Sequence, residues 1–274
     1  MVRKTYVAMM FCMLVLSVLY AAEGVSADMQ KPIWNEGDYW QYDVDINIGE
    51  GLTIGGTEQI EVKSTKTITI DGSQYVARMV VITKEISTEI SGIPINMSAD
   101  GIGYYRETDF SLMKLVVDDP TGHSETVYSY PFIGIDWPIA VGKSWERTTT
   151  VTVTNASGTT ASDITYYCEC TGETDVNTLA GLFLRCYIVK VYEDEKTEQD
   201  YHISYFSPDV GYANVRFEKY SEGALSFSQE LTSFKYSSSS TSDEATDGGR
   251  STPGFELLFI VCAMALILFW KRKR

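Results

Sequence analysis

The middle of the chain alternates apolar and polar residues with a period of two, which is the pattern of a half-buried β-strand. Ile60-Glu61-Val62-Lys63 and Thr67-Ile68-Thr69-Ile70 show it clearly, and Asp71-Gly72 follows as a tight-turn pair. The 18 Tyr and the many Thr, Val and Ile suit a pleated sheet. Between the two termini no apolar stripe keeps a 3.6-residue spacing for three turns. We therefore predict an all-β fold of antiparallel meanders that form a curved sheet, a half-barrel or a barrel.

Ten segments of this central region have the composition of strands. A short helix near Asp109 or Ile135 stays open as an alternative to loop structure. The predicted strands cover residues 57–70, 75–90, 103–106, 111–117, 148–154, 163–170, 183–192, 202–206, 212–220 and 225–236.

Several features recur at offsets of about 100 to 109 residues, which indicates two tandem repeats, 34–130 and 137–236. Each repeat opens on a turn glycine followed by a Trp strand. The alternatives are two subdomains, one continuous sheet or barrel, and coincidence in a β-rich chain. The paired features are Trp34–Tyr42 with Trp137–Trp145, Ile70–Ala77 with Leu179–Cys186, and Tyr104-Tyr105 before Asp109 with Tyr205-Phe206 before Asp209.

Two short elements resemble the LolA/LolB-like lipoprotein-carrier half-barrels and related uncharacterised β domains. They are Gly37-Asp38-x-Trp40-x-Tyr42 and the turn segment Tyr205–Tyr212. This resemblance rests on two short elements and on no site motif. It implies a strongly curved antiparallel sheet whose concave face holds an apolar ligand.

The C-terminal end of the sequence reads as a membrane anchor. Phe255–Trp270 is almost wholly apolar, and a basic cluster of Lys271, Arg272, Lys273 and Arg274 follows it. Lys and Arg cost about 2.5–3.5 kcal/mol each at mid-membrane, so they act as a stop-transfer signal. Residues 237–252 have no large apolar side chain and predict a Ser/Thr/Asp-rich stalk.

The C-terminal region resembles the PGF-CTERM sorting signal of archaeal surface proteins. It has, in order, the stalk, the motif Pro253-Gly254-Phe255, the short apolar segment and the basic tail. The resemblance covers residues 253–274. It implies processing by an archaeosortase near the Pro-Gly-Phe motif and linkage to a membrane lipid. The alternative is an ordinary single-pass membrane helix.

The first 27 residues have the three parts of a secretory signal peptide. Arg3 and Lys4 are positive, Tyr6–Ala22 is apolar, and Val25-Ser26-Ala27 is a small-residue cleavage site. An uncleaved N-terminal helix is the alternative. We predict a mature all-β ectodomain of residues 28–236 on the extracellular face of the cytoplasmic membrane.

The exported part is strongly acidic. Without the two terminal segments it has 16 basic and 35 acidic residues, a net charge of −19. Nucleic acid is excluded as a ligand because phosphate binding needs clustered Lys and Arg. A solvated acidic surface explains the charge, with cation binding by carboxylates as the alternative.

Three of the five cysteines lie in the exported part, where one disulfide is expected in an oxidising compartment. We predict the Cys170–Cys186 pair, with Cys168 as the alternate partner of Cys186. A metal site formed by the three thiolates, or by two of them with His202 or His123, is a further alternative. Asn96 and Asn155 begin N-glycosylation sequons.

No motif for catalysis, cofactor or metal binding stands out. His123 and His202 are the only histidines, and neither lies in a known catalytic motif. Three groups of neighbouring carboxylates could serve a glycosidase, although such groups also arise by chance in an acidic chain. The carboxylates are Asp43/Asp45, Asp118/Asp119 and Glu193/Asp194/Glu195.

Six aromatic residues are candidates for stacking on sugars or lining an apolar pocket, with capping of the core as the alternative. They are Trp34, Trp40, Trp137, Trp145, Tyr104 and Tyr105.

The sequence therefore predicts a non-enzymatic interaction or envelope protein, without a cofactor, tethered to the cell surface. Its expected partners are the membrane, an archaeosortase, and envelope proteins, glycans or an apolar ligand. A carrier for a lipid or another apolar molecule, and a surface hydrolase, are the alternatives. A cavity lined by apolar side chains would indicate the carrier, and His202 beside Cys168 would indicate the hydrolase.

Overall fold

The computed structural model describes residues 29–31, 33–49, 52–90, 93–211 and 214–237. The predicted signal peptide, nearly all of the stalk and the sorting segment 253–274 lie outside the described residues. Within them, twelve strands form one closed antiparallel barrel, in which each strand pairs with its neighbours in sequence and β12 pairs with β1. The predicted all-β fold of antiparallel meanders is confirmed, and of its three predicted forms the barrel is the one observed. The described part of the chain has no helix with the length and apolar character needed to cross a bilayer.

The barrel uses the predicted strand segments, most of them longer than predicted. The strands are β1 Tyr39–Asn47, β2 Thr53–Ile70, β3 Ser73–Ile90, β4 Ile93–Arg106, β5 Leu112–Asp119, β6 Gly122–Tyr128, β7 Ser144–Asn155, β8 Gly158–Thr178, β9 Gly181–Glu193, β10 Tyr201–Phe206, β11 Asn214–Ser221 and β12 Ala224–Lys235. A single 3₁₀ turn in the described residues spans Pro208–Val210. The helix considered near Asp109 or Ile135 is wrong, because both positions lie in irregular connections.

Tight turns join the strands where the sequence supplies residues that tolerate positive φ. Asp71 and Gly72 have φ of 50° and 77°, which confirms the predicted turn between β2 and β3. Glu222 and Gly223 repeat this geometry between β11 and β12, with φ of 54° and 76°. These two-residue turns fix the register of the long hairpins.

Side chains of alternate strand residues fill the inside of the barrel. In β1, Trp40, Tyr42 and Val44 are buried, whereas Gln41 and Asp43 are exposed. A Cβ on Gly101 of β4 would lie 3.0 Å from the Ile82 side chain, so glycine lets that side chain pack closely. The largest fully buried side chains are Trp40, Tyr42, Tyr105, Tyr128, Tyr166, Tyr187, Phe132, Phe206 and Phe217.

The connections alternate between the two ends of the barrel, because neighbouring strands are antiparallel. We call one end the exit end: it carries residues 29–38, the β2–β3, β4–β5, β6–β7, β8–β9 and β10–β11 connections, and the end of β12. We call the other the far end: it carries the β1–β2, β5–β6, β7–β8, β9–β10 and β11–β12 connections. Both chain termini of the barrel therefore lie at the exit end.

The two predicted repeats begin just before β1 and β7, which are six strands apart. Gly37 and Gly142 precede these strands with similar φ values of 87° and 82°. The strands nevertheless close into one barrel and do not form two subdomains. The two tandem repeats stay a prediction.

Candidate functional site

The β6–β7 connection, residues 129–143, folds into the barrel at the exit end. It buries Phe132, Ile133 and Ile135, and Leu112 N donates to Ile133 O at 2.8 Å. A Cβ on Gly134 would lie 2.5 Å from Ser111 Oγ, so only glycine fits at this close approach. The connection thus fills the space that an open half-barrel would offer to a ligand.

Side-chain hydrogen bonds hold this connection in place. Trp145 Nε1 donates to Gly134 O at 3.2 Å, and Thr149 Oγ1 donates to Ser129 O at 2.7 Å. Lys143 Nζ donates to Pro138 O at 2.8 Å and pairs with Asp136 at 3.0 Å. Tyr128 and Phe132–Ile135 therefore belong to the core, whereas Tyr130 and Pro131 between them are exposed.

A small cavity with both polar and apolar lining remains beneath this connection. The space open to the centre of a water molecule is about 20 Å³, which is enough for one water and far too small for a lipid. Its polar lining comes from Trp145, Arg147, Tyr166, Cys168, His202 and Ser204, and the rest of the lining is Ile133, Gly134, Ile135, Val189, Val191 and Phe206.

Cys168 and His202 line this cavity in one row across the sheet. Cys168 pairs with Val191, which in turn pairs with His202, so Val191 lies between them. Two strand spacings separate their Cα atoms by about 9.5 Å. A nucleophile and its base need hydrogen-bond contact, and within the described residues no hydrogen bond joins these two side chains. The arrangement that would have indicated a hydrolase is therefore not formed.

Burial keeps both groups neutral. It raises the pKa of the Cys168 thiol to about 12 and lowers the pKa of His202 to about 3, with Lys219 adding to the His202 shift. The His202 ring packs against Phe217 with ring centroids 5.3 Å apart. Its Nε2 has no hydrogen-bond partner among the described residues. His202 is a packed core histidine that faces a cavity of one-water size.

His123 lies elsewhere. It is exposed in the β5–β6 hairpin at the far end, and its Nδ1 lies 2.8 Å from Asp118 Oδ1. The nearby carboxylate of Asp119 accepts hydrogen bonds from Thr121 N and Gly122 N, so it stabilises the turn. No three His, Cys, Asp or Glu side chains of the described residues come together as metal ligands would.

The three exported cysteines are free and buried thiols, so the predicted Cys170–Cys186 disulfide is wrong for this structure. Cys170 pairs with Val189, three residues along β9 from Cys186, and Cys168 pairs with Val191. That offset separates the Cα atoms of Cys170 and Cys186 by about 10 Å along the strand, beyond the reach of a disulfide. Burial raises the pKa of Cys170 to about 11 and that of Cys186 to about 12.

The aromatic residues considered as sugar platforms belong to the core. Trp34, Trp40, Trp145 and Tyr105 are buried, and Tyr104 and Trp137 pack against the core while partly exposed. The Trp34 ring lies 4.1 Å from Phe110 and 5.3 Å from Tyr105. The remaining carboxylate groups are surface features: Asp43 and Asp45 are exposed on β1, and Asp194 accepts from Thr165 N at 3.0 Å.

Sequence reasoning missed the buried polar residues of the inner face, above all Glu58 and Lys84. The alternation of β2 carries the signal, because Glu58 shares its face with Ile60 and Val62. Asn214 and Gln229 are also buried, and each has polar atoms without a partner among the described residues.

A second concavity, an open groove of about 490 Å³, lies on β2, β3 and β4 toward the far end. Asn96 lines it, and its Oδ1 accepts from Ser87 Oγ at 2.8 Å. Asn155 ends β7 at the same end of the barrel, where its Oδ1 accepts from Ser157 N at 2.8 Å. Both sequons thus lie toward the far end. Pro253, Gly254, Phe255 and the basic cluster 271–274 lie outside the described residues.

Comparisons with known proteins add little. No family model matches the chain, and no curated protein matches it. A crystal structure of a candidate lipoprotein from Parabacteroides distasonis is similar, with 18% identity and a TM-score of 0.39, over 77% of this chain and 100% of that chain. This likeness is too distant to support a functional argument.

Proposed function

We propose that the protein is an exported archaeal cell-surface module, held to the membrane by its C-terminal segment, that works by interaction and not by catalysis. The apolar segment 255–270 with its terminal basic cluster carries this proposal. The barrel is compatible with such a tether, because its N- and C-terminal strands both meet the rest of the chain at the exit end.

The filled interior favours an interaction module over a carrier. A ligand pocket typically needs about 300–1,000 Å³ with a mostly apolar lining. The cavity beneath the β6–β7 connection holds about 20 Å³. The larger groove at the far end is open, and only Ile86 and Met97 among its lining residues have large apolar side chains. Neither space would enclose an acyl chain.

The separation of Cys168 from His202 and the neutral state of both groups argue against a cysteine hydrolase. The carboxylates considered for glycoside hydrolysis lie on strands or in turns, and none of them lines either of the two concavities described above. These observations favour an interaction role over catalysis, with envelope proteins or glycans as the proposed partners.

The topology is tested on intact cells. We expect added protease to digest the barrel, and a chain that stops before Pro253 to be released into the medium as soluble protein. Retention of the shortened chain by the membrane, or protection of the barrel from protease, would sink the proposal.

A second variant separates archaeosortase sorting from a plain membrane helix. Pro253→Ala, Gly254→Ala and Phe255→Ala together leave the apolar segment and the cations intact. If sorting occurs, mass spectrometry finds the natural chain without Lys271–Arg274 and the variant with it. An intact basic end on the natural chain contradicts the sorting mechanism and leaves the simple anchor.

A further inference from the structure

Among the side chains that the structure describes, the exposed apolar ones are concentrated at the exit end of the barrel. Among the described residues, eleven large hydrophobic side chains are exposed, and seven of them lie at or near this end. Three belong to one hairpin turn, as Leu179, Leu182 and Leu184 are 76%, 62% and 54% exposed. The other four are Ile33, Val76, Tyr130 and Val141.

The β8–β9 turn presents its three leucines from a fixed backbone. Ala180 N donates to Thr178 Oγ1 at 3.1 Å and lies 3.3 Å from Leu231 O on β12. Phe183 is buried between the exposed leucines, with its ring 6.0 Å from Phe234. Residues 176–184 have no charged side chain in a chain that is 22% charged. The turn is therefore an ordered apolar projection.

The chain leaves the barrel at the same end. Ser237 N donates to Asp38 Oδ1 at 3.0 Å, directly after β12. From Ser237 to Phe255 the chain can span at most about 60 Å. The height of the barrel, about 30 Å for a strand of nine residues, would place the far end that much further from the anchor. The exit end, with the three leucines, is thus the end of the barrel to which the tether is attached.

We propose that Leu179, Leu182 and Leu184 insert into the membrane interface and dock the barrel on the bilayer by its exit end. This inference rests on the proposed C-terminal anchor. The attraction is apolar, because a net charge of −19 on the exported part gives no electrostatic attraction to anionic lipid. The same charge opposes a second copy of the chain as the partner.

The test uses the full chain in vesicles of uncharged phosphatidylcholine, with a recognition sequence for a site-specific protease inserted between Asp247 and Gly248. Before cleavage, flotation with the vesicles reports the anchor. After cleavage, the fraction of barrel that still floats reports the docking surface alone. We expect the natural barrel to remain partly bound after the cut.

Leu179→Ser, Leu182→Ser and Leu184→Ser together should lower the partition coefficient of the cleaved barrel by at least about tenfold. The matched control changes three exposed apolar residues of the far end, Ile48→Ser, Leu52→Ser and Leu225→Ser, and should leave binding unchanged. Changing the three leucines to Met keeps their apolar character and should preserve binding, which excludes a folding defect as the cause.

The outcomes separate the two proposals. Failure of the uncut chain to float contradicts the anchor. Flotation of the uncut chain with complete release of the cut natural barrel overturns docking while the anchor stands. A cut barrel that sediments as a dimer, does not float, and becomes monomeric in the serine variant assigns the leucines to a second copy and also overturns the lipid proposal.

Discussion

Glu58 and Lys84 form an ion pair on the inner face of the barrel, with 3.0 Å between Glu58 Oε2 and Lys84 Nζ. The Glu58 side chain is 2% exposed and that of Lys84 is 12% exposed. Burial raises the pKa of Glu58, and the charge of Lys84 opposes that rise. Lys84 Nζ also lies 5.2 Å from the ring centroid of Phe227, so the pair joins β2 and β3 to β12.

Removing one partner of this pair should be far more harmful than removing both. Lys84→Met leaves the Glu58 carboxylate buried without its cation, and we expect the free energy of unfolding to fall by about 3–5 kcal/mol. Adding Glu58→Leu should restore most of that loss. Denaturant unfolding of the detergent-solubilised chain measures both variants.

The surface pair of Glu61 and Lys63 is the matched control, since both side chains are 34% exposed. Lys63→Met should change the free energy of unfolding by less than about 1 kcal/mol. An equal effect of Lys63→Met and Lys84→Met would show that burial does not set the energy of the inner pair.

His202 should make the barrel less stable in mild acid. Burial lowers its pKa from an ordinary 6.5 to about 3, so below pH 6.5 the unfolded chain takes up a proton that the folded chain excludes. The free energy of unfolding therefore has its full value, as far as His202 is concerned, above pH 6.5. It decreases as the pH falls toward 3, by at most about 1.4 kcal/mol per pH unit. His202→Gln should flatten the pH dependence of the free energy of unfolding across this window.

His123 is the other histidine of the chain, and its side chain is 61% exposed, so His123→Gln is the control for losing an imidazole from the surface. Identical curves for the natural protein and His202→Gln would mean that the imidazole is accessible to protons in the folded state.

The buried thiols should resist modification until the barrel unfolds. Cys168, Cys170 and Cys186 are buried, and their raised pKa values leave almost no thiolate at pH 8. We expect a thiol-specific reagent to label the three positions only in denaturant, as read by peptide mass spectrometry. Ser162→Cys, at an exposed position of β8, should react at once in the folded protein.

A peptide in which Cys186 is joined to Cys170 or Cys168 would contradict the free-thiol state. The i, i+2 spacing of Cys168 and Cys170 already indicated that they share a face. The sequence did not reveal that β9 places Cys186 out of register with both, because bulges after Cys170 and Thr174 shift the pairing. The pairing register of β8 and β9, and not the spacing of the cysteines in the sequence, therefore keeps these thiols apart.

The strands were predictable because a half-buried sheet imposes a period of two on each segment separately. The closure of the barrel could not be predicted in this way, because it depends on the pairing of β1 with β12, in which Val44 lies opposite Gln229. Strand β6 was missed because its polar start, Gly122–Glu125, does not alternate. The inward fold of residues 129–143 has no periodicity at all, and it is the feature that removes the concave ligand site implied by a half-barrel.

The two sequons should be glycosylated on the side of the barrel that faces away from the membrane. Asn155 lies in the β7–β8 turn and Asn96 near the start of β4, both toward the far end. Ser157→Ala and Ser98→Ala each remove one sequon and leave the asparagine in place, so the Asn155 turn keeps its hydrogen bond to Ser157 N. We expect each variant purified from its natural host to lose the mass of one glycan.

The exit end has no sequon within the described residues, so a barrel docked by that end leaves both glycans in solvent. Unmodified Asn96 and Asn155 in the natural protein would refute this prediction and leave the far end free for a protein partner.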